Sequence, residues 1–99
     1  MKSLVFILED EDSDARNLEN RFRAIGFDPR TFRNLWVAKV VFNGQGDAYA
    51  AYFLDMRVPE EHLSEPIDGA GLDMREYLMW YKVDSDKIIT NILETIDSS

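Results

Sequence analysis

Apolar and polar positions along this 99-residue chain change period several times, and each change marks an element. "SLVFIL" (Ser3 to Leu8) is a short unbroken apolar run rich in β-formers, the pattern of a strand buried on both faces. "SDARNLENRFRAIGF" then follows a helical period, with Ala15, Leu18, Phe22 and Ile25 on one stripe and charges elsewhere. Ser13 suits the N-cap, Asp14 the positive end of that helix, and Gly26 the position just past its end. "DPRTFR" holds a short second strand whose start Pro29 weakens. "NLWVAKVVFNG" reads as a helix headed by Asn34 and closed by Asn43-Gly44. "AYAAYFLD" is a third strand, ending at Asp55, and "MRVPEEHLSEPIDG" reads as a loop. "AGLDMREYLMWYK" is helical, "DKIIT" is a fourth short strand, and "NILETIDSS" starts a further helix.

The order β-α-β-α-β-α-β predicts a doubly wound α/β domain over 1–99: a parallel sheet, right-handed crossovers and helices on both faces. A strand order of 2-1-3-4 makes the first and third strands neighbours where the order reverses, and ligands of such sheets sit beyond the carboxyl ends of the strands at that point.

Composition narrows the function classes. A net charge of −8 argues against nucleic-acid binding and against adhesion to an anionic membrane. The absence of cysteine excludes disulfides, thiolate metal sites and cysteine nucleophiles. No apolar run approaches transmembrane length, and the short N-terminal one lacks a cleavage pattern, so a cytoplasmic domain is expected.

The candidate chemistry lies in "LVFILEDEDSD", where five apolar residues run into five acids among six residues. Glu9 and Asp10 end the first strand and Asp55 ends the third, so the predicted sheet order brings three carboxylates into one pocket. One reading takes them as solvated strand-end acids near helix N-termini. The other takes them as a metal site: converging acids raise one another's pKa values, and a divalent cation offsets their charge. All-oxygen ligation by few carboxylates suits Mg²⁺, and a carboxylate beside Mg²⁺ can act as a nucleophile toward phosphorus. Glu11, Asp12 and Asp14 read as solvated loop and first-turn acids. An EF-hand loop beginning at Asp10 fails, because its sixth position is Ala15 and its twelfth is Arg21. The D-x-D of aspartate-nucleophile phosphatases would make Asp10 the nucleophile and needs acids far downstream that this chain hardly accommodates. His62 reads as a solvated loop histidine rather than a phosphoryl or metal ligand, and the Arg57 side chain either reaches toward a bound phosphate or is solvated. Trp36, Trp80, Tyr77 and Tyr81 form either an interaction surface or half-buried helix packing.

The set "FILEDEDSDARNLENRFRAIGF", "YFLDMRVP" and "DGAGLDMREYL" resembles the receiver domain of two-component response regulators. The resemblance implies a flavodoxin-like fold with Asp55 as phosphoacceptor, Glu9 and Asp10 as the acid pair that holds Mg²⁺, and the main-chain carbonyl of Arg57 completing the metal shell. Pro59 maps to the proline that shapes the following loop, Asp68-Gly69 to the opening of the third helix, and Thr90 to the switch hydroxyl. A histidine kinase or phosphotransfer protein is the implied donor and a downstream protein the target. No effector domain and no enzymatic turnover are expected.

The departures from the family pattern are expectations too. The loop from Glu60 to Ile67 is longer than usual, and no residue maps to the family's lysine on a fifth strand. The sheet is then C-terminally incomplete, as a fragment or as a naturally short receiver, with apolar sheet surface bare and the fourth strand an open edge. Self-association, as a homodimer, would cover it. The alternative to phosphoacceptance is a degenerate receiver that binds partners or dimerises without being phosphorylated.

Overall fold

The structure, a computed structural model, describes residues 2–44 and 48–91. Four strands form the parallel sheet: β1 (Leu4–Leu8), β2 (Asp28–Phe32), β3 (Tyr49–Asp55) and β6 (Ile88–Asn91), in the order β2-β1-β3-β6. Helices α1 (Asp12–Ala24), α2 (Leu35–Phe42) and α3 (Ala70–Trp80) connect them, and β4 (Arg57–Pro59) pairs antiparallel with β5 (Pro66–Asp68) in a separate hairpin. The predicted 2-1-3-4 order and the doubly wound α/β class are therefore those of the structure, with β6 as the fourth sheet strand.

Strand alternation sends successive side chains to opposite faces. Phe6, Leu8, Tyr52 and Leu54 join one buried cluster with Leu35, Ala38 and Phe42 of α2 and Met74 and Leu78 of α3. Phe6 is the centre of its aromatic part, with ring centroids 4.5 Å from Phe32 and 5.3 Å from both Tyr49 and Tyr52. Val5 and Ile7 alternate to the other face, where Ala15 of α1 is buried and the Phe22 ring meets Phe53 at 6.5 Å. Residues of β1 are thus apolar on both sides because both sides are covered. At the β6 side of this second face Ile89 is 50% exposed, and β6 is an edge among the described residues, as expected.

Local chemistry explains the helix ends. Asn34 caps α2, its Oδ1 accepting from the Val37 N–H at 2.9 Å, and Asn43 closes the helix in the left-handed region at φ 40°. Helix α1 starts earlier than expected: Glu11, not Ser13, is its N-cap, and the Ala15 N–H closes the first turn on the Glu11 carbonyl at 2.9 Å. Ile25 leaves the predicted stripe and is 69% exposed. Gly26 turns the chain at φ 95°, and Phe27 packs on Phe22 instead, with centroids 6.2 Å apart. Pro29 is tolerated in β2 because that strand lies at an edge among the described residues.

The region from Met56 to Gly69, expected to be a loop, contains the β4–β5 hairpin. Arg57 pairs with Asp68, Val58 with Ile67 and Pro59 with Pro66. Val58 is fully buried and anchors the hairpin to the core, and the Trp36 N–H donates to the Glu60 carbonyl at 2.9 Å, tying its far end to α2. Asn91, expected to head a helix, belongs to β6, and the remainder of that expected helix, 92–99, lies outside the described residues. Tyr77 and Tyr81 pack on Phe42 at 5.9 and 5.6 Å, whereas Trp36 and Trp80 stand exposed. No helix among the described residues is long and apolar enough to cross a membrane.

Candidate metal centre

Parallel pairing places Leu8 beside Leu54, so Glu9, just past β1, and Asp55, the last residue of β3, stand side by side at the carboxyl edge of the sheet. Glu9, Asp10 and Asp55 meet there. Each offers a carboxylate oxygen, and these oxygens all lie within 4.8 Å of one another. Glu9 and Asp55 are buried, at 3% and 6% exposure, and Asp10 is half-buried. The acids open into a cavity of about 310 Å³ whose wall is completed by Glu11, Asp14, Arg57 and Pro66.

Backbone groups fix two of the three acids. Glu9 donates its N–H to the Phe32 carbonyl at 3.0 Å, and its Oε2 accepts from the Glu11 N–H at 3.2 Å. Asp55 Oδ1 accepts from the Arg57 N–H at 3.5 Å. The electrostatics are those of crowded acids. Burial pushes the Glu9 carboxyl up to about 8, and the hydrogen bond and charge of Asp55 act in the same direction. Burial also raises Asp10; the Asp55 charge adds to this, while the Arg57 guanidinium opposes it.

This donor set fits a hard divalent cation: three carboxylates from two strand ends, oxygen ligands only, in a cavity with room for water. The upward shift at Glu9 favours its protonated form, and a bound cation would act in the opposite direction. The other acids of the opening run behave differently. Asp12 pairs with Arg33, and Glu11 and Asp14 are exposed on the cavity rim.

Thr90 lies on β6 opposite Leu54, one position before the register partner of Asp55, and is not part of the cavity wall. His62 lines a different hollow, with Trp36 and Glu61. Two features were not apparent in the sequence reading. Arg57, a wall residue of the cavity, pairs through its Nε with Asp68 Oδ1 at 3.2 Å across the hairpin. Gly71, in the first turn of α3, lies against the Asp55 main chain, and its N–H donates to the Met56 carbonyl at 3.2 Å. The signal for the second was an isolated glycine inside a helical pattern, which commonly marks close packing.

No protein-family model matches the chain, and no curated protein matches it in sequence.

Proposed function

We propose that the chain is a receiver-type signalling module of the cytoplasm, in which Asp55 accepts a phosphoryl group from a histidine kinase or phosphotransfer protein. Glu9, Asp10 and Asp55, with the main-chain carbonyl of Arg57, would hold Mg²⁺. The observation that carries this reading is the convergence of three acids, two of them buried, at the carboxyl ends of β1 and β3, where the strand order reverses.

Bound Mg²⁺ supplies charge compensation, for the acids and for the oxygens of an incoming phosphoryl group. The chain's own part is nucleophilic and positional. One Asp55 carboxylate oxygen bonds to phosphorus while the bond from phosphorus to the donor's imidazole nitrogen breaks, its electron pair leaving with that nitrogen. Asp55 is held for this by the Arg57 N–H and by its place at the end of a buried strand. Thr90, beside the end of β3, is the hydroxyl through which this reading passes the change to a protein partner.

Intact-mass spectrometry after incubation with Mg²⁺ and a small phosphodonor tests the reading. One added phosphoryl group is expected on the wild type, and none on Asp55→Asn or without metal. An unlabelled wild type would instead support a degenerate receiver that binds partners without being phosphorylated. One observation favours that second reading: no lysine lines the cavity among the described residues.

A further inference from the structure

Five carboxylates face the acidic cavity and one cation does. A phosphoryl group entering it brings further negative charge, and a metal at the three converging acids can meet only the oxygens turned toward it. The remaining oxygens need donors from the protein. Arg57 is the one positively charged side chain on the wall among the described residues. It stands at the first residue of β4, opposite Asp68 in the hairpin register, and its Nε faces Asp68 Oδ1 at 3.2 Å. That contact uses one edge of the guanidinium and leaves both Nη groups without a hydrogen-bond partner among the described residues. Its charge is felt at Asp10, where it opposes the upward shift caused by burial. The pair with Asp68 is exposed and adds little stability, so the arginine is free to turn to an anion in the cavity.

We propose that the Arg57 guanidinium binds the phosphoryl oxygens directed away from the metal. This rests on the phosphoacceptor reading above and assigns to the hairpin the cationic contact that the cavity otherwise lacks.

The test is calorimetric binding of Mg²⁺ alone, then of beryllofluoride with Mg²⁺ present, to wild type, Arg57→Gln, Arg57→Lys and Asp55→Asn, with circular dichroism to confirm folding. Beryllofluoride stands in for a phosphoryl group on a carboxylate. Arg57→Gln is expected to weaken beryllofluoride by about tenfold or more. Its Mg²⁺ affinity should stay within about threefold of wild type or tighten, since a nearby positive charge is gone. Arg57→Lys should recover part of the anion affinity, as a point charge without the planar fork. These opposite responses to cation and anion are not what a general loosening of the hairpin would produce. Wild-type beryllofluoride affinity in Arg57→Gln, with binding abolished in Asp55→Asn, would overturn the role of Arg57 and leave the phosphoacceptor reading intact. Parallel loss of Mg²⁺ and beryllofluoride in Arg57→Gln would overturn it as well, in favour of a structural role. Failure of wild type to bind beryllofluoride would overturn both.

Discussion

Gly71 packs against the main chain of Asp55: a Cβ built on it would lie 2.6 Å from the Asp55 carbonyl oxygen and 3.0 Å from the Met56 Cα. Both neighbours are backbone and cannot swing aside, so the first turn of α3 approaches the end of β3 this closely only because position 71 lacks a side chain. Gly71→Ala is expected to push α3 away and cost about 1–3 kcal/mol of stability. It should also weaken Mg²⁺ binding by displacing Asp55. Gly69, at φ 82° with open space around a built Cβ, is the internal comparison. Gly69→Asn should leave Mg²⁺ affinity unchanged, because asparagine tolerates the left-handed region. Denaturant midpoints and Mg²⁺ titration of the two variants decide the matter; equal effects at both positions would count against the close-approach argument.

Phe6 should dominate the stability of the sheet core. It is fully buried and its ring meets those of Phe32, Tyr49 and Tyr52. Phe6→Ala is expected to cost about 3–5 kcal/mol, a large part of the roughly 5–15 kcal/mol available to a domain of this size. Ile89→Ala, on the half-exposed side of β6, should cost less than about 1 kcal/mol. Urea unfolding of the two variants measures the contrast, and similar losses would mean that Ile89 is covered in solution.

Legibility of the fold followed the length of each local signal. The five apolar residues of β1 and the Asn34 cap of α2 are self-contained, and both stand in the structure where their patterns place them. So do the acids, because the strand order makes β1 and β3 neighbours and the acids stand at the carboxyl ends of those two strands. The hairpin was not legible. Its strands are three residues long, and Pro59 and Pro66 end them at the same level, so no period had room to show. The exchange of Ile25 for Phe27 on α1 was hidden for another reason: a helical stripe cannot announce that Gly26 will turn the next residue back onto it. The Arg57–Asp68 contact depends wholly on that hidden hairpin.

Proton and metal should compete at Glu9. Its carboxyl is raised from 4.5 to about 8 in the folded metal-free protein, chiefly by burial and next by Asp55. The folded state therefore holds a proton that the unfolded state releases, so the Glu9 contribution to stability is full below pH 4.5 and is lost as pH rises through about 8. Metal-free protein should melt at progressively lower temperature across that window, and Mg²⁺ should restore stability most at its upper end. Near neutral pH, Mg²⁺ binding should expel about one proton, measurable by calorimetry in two buffers of different ionisation enthalpy. Binding without proton release would place the cation away from Glu9.

Asp55→Asn separates the metal-site reading from a cluster of merely tolerated acids. Asp55 raises Glu9 both as a hydrogen-bond partner and as a charge, so a neutral amide there should bring the Glu9 value down. Without metal, near pH 8, the variant is expected to be more stable than wild type by about 1 kcal/mol, because one source of like-charge repulsion in a buried site is gone. With Mg²⁺ the order should reverse: wild type gains stability with metal concentration, whereas the variant, lacking one of its three carboxylates, gains little. Thermal melts of both proteins with chelator and with millimolar Mg²⁺ would reveal this crossing. If the variant is less stable than wild type without metal and responds to Mg²⁺ as wild type does, then Asp55 is held by the fold for packing alone, and the three acids do not share a cation.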